Sequence, residues 1–377
     1  MYGHRRRLQN KVAESSITLP AAAVLAALLW WLPQGSYSNE ALAGWAVYAL
    51  TTYVLIELTN VNVLLRVRSR LTSSIFITLL AVCGFVHQLQ PATIAALAVV
   101  CALYALFTTY ERRQLTAPTF HSYLLLSLGS LALPPLLLLM PVLLFCQGVY
   151  MRSLSWRTFM AALIGTVVPY WIWAAIATAT ATFVPLQRQA LAIVDPINAP
   201  ILAVQSGQSL MAAFYQRLWD TLHSGTSLSD LNYALLLPAH LRAHVSPLSL
   251  VPLAAAAVVV GVLGLTGFVH YVRSHYDDKI RVRMCFHTLL TLQVVVTLWL
   301  LVQPRQLPHL LPLLMLTTAA PVAHFFSLTH SRGSNFWFVC CWLLLVAVGI
   351  AALALPYFFE EAIPAVPAYD LSAIVLF

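Results

Sequence analysis

An all-α bundle of membrane-crossing helices is the fold class this sequence predicts, and three observations predict it. Of 377 residues, 60% are hydrophobic and only 8% charged, with a mean hydropathy of +0.83, against roughly 25% charged in an ordinary soluble domain. Apolar stretches near the ~20 residues needed for one crossing recur along the chain. The 20 Lys and Arg residues are clustered: all but Arg188, Arg217, Arg242 and Arg305 lie in short runs between apolar stretches. Eleven crossings put every one of those runs on one face. Basic loops stay in the cytoplasm during insertion, so the N-terminus is expected inside and the C-terminus in the periplasm of an inner membrane.

The eleven expected spans are 17–32, 41–65, 71–89, 92–109, 120–133, 135–151, 158–184, 247–272, 284–302, 307–328 and 336–359. The first follows an Arg-rich start, yet Trp30-Trp31-Leu32-Pro33 offers no small-residue cleavage site, so it reads as a retained helix. Parity decides two places. Arg66 to Arg70 and Arg112/Arg113 must share a side, so the stretch between them crosses twice. Residues 120–151, interrupted by Pro134-Pro135, must likewise return to the side they leave, as a tight hairpin or a re-entrant pair. Otherwise Arg273, Lys279, Arg281, Arg283 and Arg332 would fall outside.

One long hydrophilic connection remains, at 185–246, inside what is otherwise a single membrane domain of 377 residues. Leu210, Phe214, Leu218 and Leu222 recur there every four residues, with Gln208, Gln216 and Asp220 on other faces, so the spacing predicts an amphipathic helix over about 207–223. Ser206 can cap its start and Gly225 can follow its end. Such a helix lies on the membrane interface, sealing the bundle or covering an outward-facing cavity.

The positive charges sit beside apolar spans and form no stripe interleaved with exposed aromatics, which excludes nucleic acid and points to membrane lipids as partners. Cys83, Cys101, Cys146, Cys285, Cys340 and Cys341 lie inside apolar segments without the spacing of a zinc site or a disulfide framework, and read as packing residues. No metal site and no cofactor is expected.

Ionisable groups inside apolar spans cost roughly 2.5–3.5 kcal/mol each at a bilayer centre, so they point to function. Glu57 shares a helical face with Tyr53 and Asn60. His287 and His324 fall at a similar depth in the cytoplasmic third, and His121 and His270 lie near the same boundary. A polar layer there can bind an ion, relay protons or hydrogen-bond helices together. On the outer side His240 and His244, four apart, suit a phosphate-bearing ligand or a metal, although Pro238 and Pro247 bracket them and no Glu stands between them as in metalloproteases.

The run Leu58-Thr59-Asn60 through Arg70-Leu71-Thr72, with Ser155-Trp156-Arg157, Gly165 and Pro169-Tyr170, resembles an uncharacterised family of multi-pass inner-membrane proteins of Bacteroidetes. That resemblance covers about the first half of the chain and implies no activity. The segment from Ser127 to Tyr170, with Gly129, Pro134-Pro135 and its Arg-bearing turn, is similar to the middle of multi-pass glycosyltransferases that use polyprenyl-linked sugars. Those enzymes carry a long first external loop with paired acids, whereas 33–40 is short and contributes only Glu40. The long outer loop, with His244 ahead of Gly261-Val262-Leu263-Gly264, resembles O-antigen ligases and glycan polymerases.

These likenesses imply a protein that handles a lipid-linked envelope glycan precursor, by transfer or as an auxiliary. Arg217 and Arg242 would hold the polyprenyl phosphate, and His240, His244 and Asp230 would move protons. A non-catalytic scaffold that binds other subunits of an envelope complex is one alternative. A proton-coupled secondary transporter built on Glu57, Asn60, His287 and His324 is the other.

Overall fold

The computed structural model describes residues 8–31, 39–66, 69–83, 87, 89–179, 247–302 and 306–358. These residues form α-helices joined by turns and short 3-10 segments, and contain no strand. The helices are α1 (Leu8–Glu14), α2 (Thr18–Trp31), α3 (Asn39–Val61), α4 (Leu71–Val82), α5 (Pro91–Phe107), α6 (Thr116–Ala132), α7 (Leu139–Val149), α8 (Trp156–Ala179), α9 (Pro247–Ser274), α10 (Ile280–Val302), α11 (Leu307–Leu328) and α12 (Arg332–Phe358). Each of the eleven expected spans overlaps a helix, though 71–89 shortens to Leu71–Val82 and 135–151 to Leu139–Val149, Pro134-Pro135 supplying a 3-10 turn, Pro134–Leu138, ahead of α7.

Six of them, α3 and α8 through α12, are long and apolar enough to cross a membrane. A seventh candidate is the α1–α2 pair, bent by 92° at its break. The 12 residues of α4 extend only ~18 Å at 1.5 Å per residue, less than the ~30 Å of a hydrocarbon core. The amphipathic helix expected at 207–223, and the whole 185–246 connection, lie outside the described residues.

The bundle is built around α11, which is buried along almost its whole length and packs against α9, α10, α4 and α5. Close approach is possible because small residues face it. A Cβ on Gly267 would lie 2.8 Å from the Pro321 carbonyl carbon, and one on Gly264 would lie 2.8 Å from Thr318 Cγ2. Helix association in lipid depends on such contacts, because lipid tails are as apolar as the side chains.

Helices α5 to α8 form a second group tied by buried polar contacts. Ser122 Oγ donates to the Ala102 carbonyl at 2.8 Å, Tyr123 OH to Gln147 Oε1 at 3.0 Å and Ser127 Oγ to the Thr166 carbonyl at 2.7 Å. Gly165 lets α8 sit on α6, where an added Cβ would be 2.6 Å from the Phe120 carbonyl oxygen. Large apolar side chains left exposed, such as Ile164, Val167, Trp171 and Ile172 on α8 and Leu343, Leu344 and Ile350 on α12, form the lipid-facing surface of an integral membrane protein.

Candidate functional site

Turns bearing the basic clusters converge at one end of the bundle. Helix α1 lies under the α11–α12 turn, where Gln9 Nε2 donates to Ser334 Oγ at 2.9 Å and to the Thr329 carbonyl. The Ser69 hydroxyl donates to the Ala13 carbonyl at 2.6 Å. The Glu111 amide donates to the Met151 carbonyl at 2.9 Å, which returns the 116–149 stretch to the end it left.

Between α3 and α4 the chain turns through Val63, whose φ of 48° is left-handed. A β-branched residue pays roughly 1–2 kcal/mol for that conformation. Neighbouring bonds hold it: Asn62 Nδ2 donates to the Leu58 carbonyl at 2.9 Å, and the Leu64 amide to the Thr59 carbonyl at 3.1 Å. The turn brings Arg66 to the corner between α9 and α10. There Nε donates to Asp278 Oδ1 at 2.5 Å, Nη1 to Asp277 Oδ2 at 3.4 Å and Nη2 to the Ser274 carbonyl at 3.2 Å. Nearby, Arg281 Nη2 donates to Asn62 Oδ1 at 3.1 Å.

Asp278 is the junction. Its other carboxylate oxygen lies 3.3 Å from Nε2 of His324 on the central helix, and the two side chains are 1% and 0% exposed. The partner orients the imidazole, because Nε2 faces a carboxylate oxygen that can only accept. Among the described residues, the buried Nδ1 has no hydrogen-bond partner, and neither has the Tyr271 hydroxyl. Around His324 stand His270, Tyr271 and Phe286, with ring centroids at 5.6, 5.1 and 5.3 Å. Burial alone would raise the Asp278 carboxyl, but the bonds from His324 and Arg66 outweigh it and hold the group below the usual carboxylate range. The same contact with Asp278 pushes the Arg66 guanidinium up.

A second wing stands beside this one. His287 on α10 is stacked on Tyr150, with centroids 5.5 Å apart, and lies 5.7 Å from His275 and 6.1 Å from Tyr271. Among the described residues no group of three or more His, Cys, Asp or Glu is placed to hold a metal.

The structure thus gathers His270, His287 and His324, and leaves out the other polar residues of that expected layer. Glu57 is half-buried and Asn60 exposed on α3. Among the described residues no hydrogen bond or ion pair reaches the Glu57 carboxylate. His121 is exposed at the start of α6. Arg217, Asp230, His240, Arg242 and His244 lie outside the described residues. Sequence reasoning passed over Arg66, read there only as an insertion signal, and Asp278. The available signal was the Asp277-Asp278 pair inside an otherwise basic turn.

An all-helical integral membrane protein with a buried Arg–Asp–His network at one end is the class that this fold and site define. The chain matches no protein-family model, no curated protein and no solved structure.

Proposed function

We propose that this chain crosses the bacterial inner membrane eleven times, from a cytoplasmic N-terminus to a periplasmic C-terminus, and works as a proton-coupled secondary transporter. The observation that carries this reading is the buried Asp278–His324 pair. His324 and Arg66 together hold the Asp278 carboxyl low, and in this reading the proton passes through the carboxylate–imidazole contact between Asp278 and His324. The pair joins three elements: the α3–α4 turn through Arg66, the α9–α10 corner through Asp278 and the central helix through His324. A change of charge on His324 alters the attraction among all three, which is the kind of local switch that couples a proton to a rearrangement of helices.

Full-length protein in liposomes with an entrapped pH dye tests this. Gradients of pooled small-molecule fractions from the native cell are expected to drive proton movement through the wild type and not through His324→Gln. An equal dye response in the two proteins rules the assignment out.

A second reading rests on the sequence of the 185–246 connection: a polyprenyl-phosphate-linked envelope precursor held by Arg217 and Arg242, with His240, His244 and Asp230 moving protons. Replacing Arg242, His240 and His244 together by Ala is then expected to abolish the cellular function while the protein stays inserted and abundant. Full complementation by that triple variant, together with an unaltered dye response in His324→Gln, leaves the scaffold role of an envelope complex.

A further inference from the structure

We infer that the corner between α9 and α10 carries a second site, distinct from the Asp278–His324 pair, for a phosphate-bearing anion. Two arginines near this corner differ in their partners. Arg66 has both carboxylates of the corner, Asp277 and Asp278. Arg283 has none: no ion pair or hydrogen bond reaches its side chain among the described residues, and its Nε is buried without an acceptor. A buried guanidinium donor with no partner is rare in a folded protein and calls for a ligand, an ion or a water.

Its surroundings favour an anion over water. Arg283 and His287 are four residues apart on α10 and therefore lie on one face. His287 lies 5.7 Å from the half-buried His275 across the corner, and His275 Nδ1 is already engaged with the Val272 carbonyl at 2.8 Å. Tyr150 roofs His287, its hydroxyl 3.2 Å from Thr291 Oγ1, and so fixes the ring that would face the ligand. Three nitrogen-bearing side chains, Arg283, His287 and His275, thus border one corner, and the nearest carboxylates, Asp277 and Asp278, are already bonded to Arg66. Their chemistry matches a tetrahedral oxyanion, which accepts several charge-assisted hydrogen bonds at once.

Depth narrows the ligand further. Arg283 and His287 occupy the first turns of α10, a helix that begins at Ile280, in the turn that also carries Lys279 and Arg281. That is the level of a cytoplasmic headgroup phosphate in the proposed orientation, and it is equally open to the phosphate of a cytoplasmic ester. Both sources offer the same oxyanion. The site uses neither Asp278 nor His324, so it stands or falls apart from the proton-coupling reading.

The test uses the full chain in nanodiscs of neutral phosphatidylcholine, titrated calorimetrically with inorganic phosphate. A parallel preparation in discs containing phosphatidylglycerol is analysed for retained lipid by native mass spectrometry. Removing one charge-assisted contact is expected to weaken binding about tenfold or more. Arg283→Gln and His287→Gln should each do so, while Arg281→Gln, which lies off this face and bonds Asn62, should not. That pattern with inorganic phosphate identifies a free phosphate ester as the ligand, and the same pattern only in retained phosphatidylglycerol identifies a lipid headgroup. His287→Gln keeps the size of the side chain, so it reports on the site even if Arg283→Gln misfolds. Absence of binding in both preparations, or an equal loss in Arg281→Gln, overturns the inference.

Discussion

A carboxylate as buried as that of Asp278 persists because a guanidinium and an imidazole both reach it. Removing one partner of a fully buried ion pair costs ~3–5 kcal/mol. The Arg66 side chain keeps 34% exposure, so water compensates part of the loss and Arg66→Ala is expected to cost about 2 kcal/mol. Thermal unfolding in detergent measures this, and a double-mutant cycle with Asp278→Asn should recover most of it as coupling.

The pH dependence follows from the lowered carboxyl. A depressed group contributes its stability in full above its ordinary value of 3.8 and loses it as pH falls through the lowered one. The carboxyl's own share of the stability gap between wild type and Asp278→Asn should therefore stay level between about pH 5 and 8 and be lost only below about pH 4. Infrared absorption of a protonated carboxyl near neutrality, absent in Asp278→Asn, would overturn this. At this scale the site was legible only in part: depth along an apolar span put Glu57, His121, His270, His287 and His324 in one layer, and only the last three come near Tyr271. Arg66 and Asp278 were not, because they meet across 212 positions and nothing local to either turn announces the other.

Helix limits follow physical chemistry that apolar length captures only in part. The central α11 begins and ends where its apolar run does, Leu307 to Leu328, because every face of it is covered by protein. By contrast α10 begins at Ile280, ahead of the apolar run from Met284, and α12 begins at Arg332. Arginine is a good helix former that a hydropathy criterion counts as an interruption. The 3-10 turn at Pro134–Leu138 follows from proline's missing donor, and the diproline marks it in the sequence.

Glycines test the packing of these elements. A leucine at Gly267 would drive its side chain into the backbone at Pro321, where a Cβ alone is already 2.8 Å from the carbonyl carbon. Overpacking of this kind costs ~1–3 kcal/mol. Gly261, six residues earlier on the same helix, has nothing within 4 Å of such a Cβ, so Gly261→Leu is expected to stay within about 0.5 kcal/mol of wild type. Comparable losses in the two variants would mean that α9 does not meet α11 through the Gly267 face.

At the scale of the whole molecule, charge and contact support one arrangement by separate routes. Basic residues in the turns impose a parity on the chain through insertion. Contacts then gather those same turns at one end: Ser69 on Ala13, Gln9 on Ser334, Glu111 on Met151 and Arg66 on Asp278. The short α4 and α5, buried against α11, do not alter this parity, because the chain that enters them beside Ser69 emerges at the cluster of Arg112 and Arg113, whose turn is bonded to Ser155. They can meet the requirement as two crossings or as a pair that returns within the bundle. Reporter fusions after Met151 and after Arg283 are therefore expected to read cytoplasmic in either case, and fusions at Ser224 and after Glu361 to read periplasmic. Fusions at Gln88, in the connection between α4 and α5, separate the alternatives: a periplasmic signal means that both helices cross, and its absence that they return within the bundle, with the termini unchanged. A cytoplasmic reading after Glu361 would break the parity and, with it, the assignment of the Arg66–Asp278 corner to the cytoplasmic side.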